Sequence, residues 1–378
     1  MENSKIEWTQ HTFSPWHGCA KVSPGCKNCY ADAQHNFHYS SLKAQQGTCW
    51  GVSAPRLAVS EDTWKKPLRW NRDAAAAGIR ARVFCASMAD VFEPQSALSA
   101  AFAGQTAEVP KGKGTTRTVR FVDVATERLR LLRLIFDTPH LDWLLLTKRP
   151  ENIGPALEAA WRSTTLGPDL TETYDLRVWL GAWLEGTPPA NVWLGTSVEN
   201  QEQADIRVPQ LLAAPAVVRF LSCEPLLGKL DLGRYLCGCR TCLPLGTSVD
   251  AAGFPARIEW VIVGGESGPR ARPMHPEWVR AIQKQCAEYC TAFFFKQWGN
   301  WAQCWDDEWH GLGLDGKPQQ VALSLTGQTS GGFLGEAHAA QKEAEGWLPM
   351  QRLDKHAAGR KIDGRTWDEL PIKTEVTP

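Results

Sequence analysis

The sequence predicts an α/β fold built on a parallel sheet. Short apolar runs recur along the chain, and each run ends in small, polar or charged residues. These runs are rich in β-branched and aromatic residues and apolar on both faces, a pattern typical of buried parallel strands. Helix-like stretches lie between several of them. This alternation of strands and helices indicates parallel pairing through right-handed crossovers.

The pattern predicts six or seven strands. After an opening strand near 6–13, the strand candidates are 82–88, 141–147, 191–197, 217–222, 260–263 and 292–295. The predicted helices are 30–45, 126–136, 200–212 and 276–290. These elements are compatible both with a partial or full barrel and with an open, doubly wound sheet.

Three segments differ from this alternation. Residues 104–118 are polar and rich in Gly, Lys and Thr, so we predict a loop there. Residues 232–255 are Gly- and Cys-rich and form an insertion between two predicted strands. From residue 299 the chain is Gly- and Trp-rich with weak periodicity. We therefore predict a main domain at 1–298, which includes the insertion, and an irregular C-terminal extension at 299–378.

The composition excludes several classes of protein. Lys plus Arg (41) equals Asp plus Glu (41), so any surface for nucleic acid would have to be a local patch. No apolar run approaches the roughly 18 residues that a membrane span needs. The first residues, Met-Glu-Asn-Ser-Lys, lack the pattern of a signal peptide. We therefore expect a cytoplasmic protein without a membrane partner, in which the clustered cysteines among the 12 serve metal binding or catalysis.

Cys19, Cys26 and Cys29 form the strongest motif. Six residues separate the first two cysteines and two separate the last pair, within a loop whose Gly and Pro residues favour turns. Three thiolates can ligate a cubane iron–sulfur cluster and leave one iron open. The loop follows a predicted strand and precedes a predicted helix, which is the catalytic end of a parallel barrel. The alternatives are a structural zinc ion, with a fourth ligand such as His17 or His35, and inert thiols.

The cysteine loop and seven further motifs resemble a phage- and prophage-associated protein family of unassigned function, named for its three-cysteine motif. The loop itself, WHGCAKVSPGCKNCYA at 16–31, resembles the radical S-adenosylmethionine superfamily and, more distantly, spore photoproduct lyase. The further motifs are SMADVF at 87–92, LTKRP at 146–150, GTSVEN at 195–200, SCEPL at 222–226, GGESG at 264–268, FKQWG at 295–299 and DGRTW at 363–367.

The resemblance implies a fold and an activity. The fold would be a partial parallel (β/α) barrel of the radical S-adenosylmethionine type at 1–298, with the Cys-rich insertion and the C-terminal extension. The enzyme would hold a [4Fe–4S] cluster on its three cysteines and take an electron from a one-electron donor. It would cleave S-adenosylmethionine reductively and abstract a hydrogen atom from its substrate. The likeness to spore photoproduct lyase and the phage setting favour a nucleic acid base or a nucleotide as substrate.

Polar residues at predicted strand ends are candidate ligands of S-adenosylmethionine. Asp90 could take its amine, Ser197 and Glu199 its carboxylate and ribose, and Arg207 could pair with the carboxylate as a bidentate fork. The alternative for each is a helix cap or a surface ion pair, and Ser197 or Asn200 could cap the next helix.

The motif at 264–268 and several charged residues extend this candidate site. Gly264 and Gly265 permit close approach of the backbone to a ligand, and Glu266 would face the barrel mouth; a tight turn without ligand is the alternative. Further polar residues at strand ends would make a charged mouth suited to a polar, phosphorylated substrate. They are Lys148, Arg149, Glu224, Lys296 and Gln297.

A second cysteine group, Cys237, Cys239 and Cys242, lies in the insertion and predicts a structural zinc site. An auxiliary iron–sulfur cluster and plain reduced thiols are the alternatives. The rival to the enzyme hypothesis is a non-enzymatic, zinc-dependent nucleic-acid-binding phage protein that uses both cysteine groups. It would contact phosphates through basic residues near the C-terminus. These are Arg352, Lys355, His356, Arg360, Lys361 and Arg365.

Overall fold

The computed structural model describes residues 1–39, 48–112, 115–164, 170–239, 241, 255–303, 320–331 and 344–372. Its strands, in chain order, are β1 (His11–Phe13), β2 (Trp16–His17), β3 (Leu57–Ala58), β4 (Ala81–Cys85), β5 (Thr106–Gly112), β6 (Thr115–Arg120), β7 (Leu141–Thr147), β8 (Val192–Ser197), β9 (Val218–Cys223), β10 (Trp260–Gly264), β11 (Ala292–Gln297), β12 (Trp301–Gln303), β13 (Gln320–Ser324), β14 (Thr329–Gly331) and β15 (Trp347–Arg352).

The described α-helices follow the predicted pattern between strands. They are α1 (Tyr30–His38), α2 (Glu61–Ala76), α3 (Ala97–Ala100), α4 (Val124–Phe136), α5 (Ile153–Ser163), α6 (Leu170–Leu184), α7 (Gln201–Ala213), α8 (Gly233–Leu236), α9 (Pro276–Glu288) and α10 (Lys355–Ala358). The helices predicted from residues 126, 200 and 276 are confirmed. Residues 40–47 of the first predicted helix lie outside the described residues.

The main element is a seven-stranded parallel sheet that curls into a half-barrel. The strand order is β1-β4-β7-β8-β9-β10-β11, and every neighbouring pair is parallel. Each new strand is therefore added beside the previous one without a reversal of direction. A doubly wound sheet requires such a reversal, so this alternative from the sequence is wrong and the partial barrel is correct.

The sheet is buried on both faces, as the apolar runs predict. Every residue of β8 and β9 is buried. One face packs against the helices, whereas the other holds a separate aromatic cluster that includes Trp8, Phe84 and Phe220.

The prediction of a loop at 104–118 is wrong, because β5 and β6 form an antiparallel hairpin. Alternate residues of the hairpin point inward: Ala107, Val109 and Val119 are buried and pack in one cluster with Phe121. The polar residues between them face solvent. Threonine and valine favour this half-buried strand conformation, which the abundance of Gly and Lys obscured.

The C-terminal residues pack against the barrel. Strands β12, β15, β13 and β14 form an antiparallel sheet. Further on, Asp368 pairs with Phe294 at the edge of β11, and the backbone N–H of Phe295 donates to Trp367 O at 2.9 Å. The last described segment therefore covers an edge of the parallel sheet. Among the described helices, none has the length and apolar character needed to cross a membrane.

Candidate active site

A cavity of about 370 Å³ lies at the carboxyl end of the parallel sheet. Trp8, Phe84 and Leu146 contribute its apolar lining, and Cys19, Cys26 and Cys29 all line it. Residues at or after the carboxyl ends of successive strands complete the lining. They include Ala86 to Asp90 after β4, Lys148 and Arg149 after β7, Ser197 of β8, Ser222 and Glu224 at the end of β9, Gly265 and Glu266 after β10, and Lys296 and Gln297 of β11.

The three cysteines belong to one loop across this cavity, which we call the cysteine loop (residues 19–29). Pro24–Cys26 forms a 3-10 turn, and Cys29 is the N-cap residue of α1. All three thiols are free and half-buried. Among the described residues, no group of three or more His, Cys, Asp or Glu side chains is arranged to hold a metal ion in this conformation. The Cys19 thiol donates instead to Ala20 O at 3.4 Å.

The surroundings of Cys19 disfavour a bare thiolate. Burial raises the pKa of the Cys19 thiol to about 12, and the charges of Glu93 and Asp90 act in the same direction. Arg149 opposes them, because its Nη1 lies 3.7 Å from Cys19 Sγ. A thiolate at this position therefore needs a positive partner beyond Arg149, and a bound metal centre would supply one.

Glu199 holds the middle of the cysteine loop. Its Oε1 accepts a hydrogen bond from Gly25 N at 2.8 Å, and its Oε2 pairs with Arg207 Nη1 at 2.9 Å. Burial alone would raise the pKa of Glu199, but hydrogen bonds from Ser23 and Gly25 and the charge of Arg207 hold it below its usual value. A Cβ at Gly25 would lie 2.9 Å from Glu199 Cδ, so this approach depends on glycine.

Glu266 holds the end of the same loop. Asn28 Nδ2 donates to Glu266 Oε2 at 3.0 Å, and Arg272 binds both carboxylate oxygens through its side chain. Arg272 Nη1 also donates to Pro24 O at 3.1 Å. Gly265 packs closely against the backbone after β11, because a Cβ there would lie 2.0 Å from Trp298 O. Residues after β10 thus hold the cysteine loop through hydrogen bonds to Asn28 and Pro24.

Asp90 and Arg149 hold the start of the loop. Arg149 Nη1 pairs with Asp90 Oδ2 at 2.9 Å, and Nη2 donates to Ala20 O at 2.6 Å. Both side chains are almost fully buried. Asp90 accepts further hydrogen bonds from the Thr147 hydroxyl and from the backbone N–H groups of Phe92 and Lys148.

A buried ion pair that the sequence did not reveal supports the same segment. Arg56 Nε and Nη2 donate to Glu93 Oε1 and Oε2 at 2.6 and 3.0 Å, and both side chains are at most 2% exposed. Glu93 Oε2 also accepts from Ala20 N at 3.2 Å. These residues are 37 positions apart and lie outside the motifs, so the only sequence signal is an isolated Arg and an isolated Glu.

The predicted cofactor-binding residues fall into two groups. Those that line the described part of the cavity are Asp90, Ser197, Gly265 and Glu266. Those that lie beside it are Glu199, Arg207 and Gly264, of which Arg207 pairs with Glu199 and donates to Ser197 O at 2.8 Å. Asn200 is the N-cap of α7, because its Oδ1 accepts from Gln203 N at 3.0 Å. Their binding of S-adenosylmethionine stays a prediction.

His17 and His35 lie apart from the cavity lining in an aromatic cluster. The His35 ring stacks on Tyr39 with centroids 4.6 Å apart and lies 5.0 Å from Trp50. The ring centroids of the two histidines are 6.0 Å apart. Burial lowers the pKa of each to about 4, so both are neutral at neutral pH. Neither histidine is placed beside the three cysteines as a fourth ligand within the described cavity lining.

The second cysteine group is only partly described. Cys237 and Cys239 lie near the surface with their sulfur atoms 3.5 Å apart. Cys242 lies outside the described residues. The zinc ion predicted here stays a prediction.

Three of the six basic residues predicted near the C-terminus have side chains that contact the protein itself. Arg360 pairs with Asp368, Arg365 stacks over Trp367 at 3.8 Å, and Arg352 donates to Pro269 O at 2.6 Å. Lys355, at the start of α10, instead lines the cavity. The extension therefore contributes a cation to the site.

Comparison with known proteins assigns the chain to a family. No curated protein and no solved structure matches the chain. One family model matches residues 3–111 and 121–371, which include all the residues described above as parts of the site. The chain therefore belongs to this family, whose description is "protein of unknown function (DUF5131)".

Proposed function

We propose that this chain is a radical S-adenosylmethionine enzyme that holds a [4Fe–4S] cluster on Cys19, Cys26 and Cys29. In this proposal its substrate is a nucleic acid base or a nucleotide. One observation carries it: the three free cysteines line the same cavity as the carboxyl ends of the parallel strands. In parallel barrels this end is where catalytic groups collect.

The donor set suits a cubane cluster. Thiolates are its usual ligands, and each binds a different iron, so the three sulfur atoms need not converge on one point as they must around zinc. Among the described lining residues there is no fourth cysteine. One iron would therefore be free for the amine and carboxylate of S-adenosylmethionine. When bound, the cluster would supply the electron that cleaves this cofactor to methionine and a 5′-deoxyadenosyl radical.

The chain's own residues position the cysteine loop. Asp90 accepts two hydrogen bonds from protein groups at each carboxylate oxygen, which fills its acceptor positions. Glu266 also accepts four, three of them at Oε2 and one at Oε1. We therefore assign both carboxylates, with Glu199, to holding the loop in place. Ser197, which lines the cavity, is left as the proposed contact to the cofactor.

Arg149 has a second proposed role beside the cluster. A positive charge and a hydrogen bond at a ligand sulfur stabilise the reduced cluster and raise its reduction potential. Arg149 Nη1 is placed to do both at Cys19, and Asp90 fixes its orientation. Trp8 and Phe84 of the aromatic cluster line the cavity, and their apolar rings would limit the amount of water beside the iron–sulfur cluster.

The proposal is tested by cofactor cleavage. Anaerobically reconstituted protein, reduced with dithionite, should convert S-adenosylmethionine to 5′-deoxyadenosine, which chromatography detects. The Cys29→Ala variant should form none, since it lacks one cluster ligand. The matched control is Cys290→Ala, an exposed cysteine outside the cavity lining, which should cleave the cofactor like the wild type. Wild-type protein that carries a full cluster and leaves the cofactor intact would refute the proposal.

A further inference from the structure

The buried and half-buried acidic side chains of the described cavity lining all have partners of opposite charge, whereas some of the basic side chains do not. Each buried or half-buried carboxylate of the lining is paired with a basic side chain. The pairs are Asp90 with Arg149 at 2.9 Å, Glu224 with Lys296 at 2.8 Å and Glu266 with Arg272 at 2.6 Å. At the rim, exposed Lys5 and Glu7 have opposite charges, and Lys21 pairs with Asp32 at 3.2 Å.

Lys148 and Lys355, in contrast, are basic side chains of the lining that have no such acidic partner in the part of the chain that the structure describes. Both line the cavity and are half-buried, and neither has a carboxylate within ion-pair distance among the described residues. The charge of Lys148 helps to lower the pKa of Glu199, but that carboxylate already has hydrogen bonds from Arg207 and Gly25. The lining formed by the described residues therefore has an excess of positive charge, with one lysine after β7 and the other from the C-terminal extension.

The proposed cofactor would not neutralise this excess. S-adenosylmethionine is itself a cation, because its sulfonium and ammonium groups outweigh its single carboxylate. A cluster on three thiolates is anionic and would balance the cofactor, but the two lysines would remain. A phosphate monoester carries close to two negative charges at neutral pH and a phosphodiester within a strand carries one, so either is attracted to two ammonium groups.

A buried acceptor lies in the same cavity. Gln297 is 6% exposed, and its Nε2 donates to Gly265 O at 3.0 Å. Its Oε1 has no hydrogen-bond partner among the described residues. A buried acceptor without a donor is unfavourable, so a ligand N–H or O–H would stabilise this position. A nucleobase presents such donors beside its phosphate-bearing sugar.

We propose that Lys148 and Lys355 bind a phosphate group of the substrate and that Gln297 accepts a hydrogen bond from its base. This inference rests on the proposed function, because it takes the cofactor and the cluster as the other charges in the cavity. It narrows the substrate from a base or nucleotide to a phosphate-bearing nucleotide unit, either free or within a strand.

Calorimetric titration of the anaerobically reconstituted protein tests the phosphate site. The probes are the 2′-deoxynucleoside 5′-monophosphates, the matching nucleosides and a short single-stranded oligonucleotide. At least one phosphate-bearing probe should bind about tenfold or more tightly than the matching nucleosides. Lys148→Gln and Lys355→Gln should each lower that affinity by about tenfold. Lys284→Gln, at an exposed position on α9 outside the cavity lining, is the matched control and should bind like the wild type.

The wild type provides a measure that does not depend on the folding of any variant. Its affinity for the phosphate-bearing probe should fall as salt concentration rises, whereas affinity for the nucleosides should change little. Preference for the monophosphates indicates a free nucleotide as the source of the phosphate, and preference for the oligonucleotide indicates a nucleic acid; both support the site. Equal binding of nucleosides and phosphate-bearing probes overturns it, as does wild-type affinity in both lysine variants.

The same titration separates this inference from the proposed function. In the variant with Cys19, Cys26 and Cys29 replaced by alanine, the lysine-dependent preference for phosphate should persist, because the lysines belong to other parts of the fold. Lysine-dependent phosphate binding by a wild type that holds no iron would refute the radical enzyme and leave the phosphate site standing.

Discussion

Anaerobically reconstituted protein in which Cys19, Cys26 and Cys29 are all replaced by alanine should contain no iron and should be colourless. The reason is that all three thiolates of the proposed cluster come from this one loop, and no other cysteine of the described residues lines the cavity. Iron and labile sulfide analysis, with the visible absorption spectrum, measures the loss. The fold should survive, since the loop is also held by Glu199, Glu266 and Arg149.

The matched control for this variant is the second cysteine group. Cys237→Ala together with Cys239→Ala should keep the iron and the brown colour, and should lose the zinc predicted for the insertion. Full iron in the triple variant, or loss of iron in the control, would show that the cluster is assigned to the wrong cysteines.

Replacing Arg56 by alanine should lower the free energy of unfolding by about 3–5 kcal/mol, the usual cost of leaving a buried charge without its partner. Glu93 is 1% exposed and would lose both hydrogen bonds from the guanidinium. The backbone carbonyls of Cys49, Gly51 and Ala54 would each lose the hydrogen bond from the guanidinium as well. Because Glu93 also accepts from Ala20 N, the start of the cysteine loop should loosen.

Urea unfolding followed by circular dichroism measures this effect. Lys65→Ala is the matched control, because Lys65 pairs with Asp62 at 3.4 Å but both side chains are at least 74% exposed. That change should alter the free energy of unfolding by less than about 0.5 kcal/mol. Arg56→Lys should recover little stability, since an ammonium cannot bind both carboxylate oxygens in the same fork geometry. A loss below about 1 kcal/mol in Arg56→Ala would mean that Glu93 is not held by this pair.

The parallel sheet could be predicted because its strands are apolar on both faces. Runs such as 141–147 and 260–263 stand out for that reason, and the structure places both in the central sheet. The hairpin of β5 and β6 was missed because only alternate residues are buried in it. The strand order, and with it the half-barrel, depends on pairing between residues far apart in the chain. No local segment of the sequence predicts it.

The candidate residues lie near the strand ends, as the sequence predicts, but their contacts with one another were not predictable. Asp90, Glu199 and Glu266 each lie beside a strand end, as their sequence positions suggest. Their partners are Arg149, Arg207 and Arg272, and the choice of partner depends on how the intervening loops fold. Lys355 reaches the cavity from the C-terminal extension, a contact that no nearby motif signals.

The most direct test of the central claim, that the cysteine loop holds a cubane cluster, is metal analysis of the anaerobically purified wild type combined with electron paramagnetic resonance. We predict about four irons per chain at this site and, after reduction, a [4Fe–4S] signal that changes when S-adenosylmethionine is added. A chain that carries zinc on the cysteine loop and no iron, before and after reconstitution, would contradict the claim.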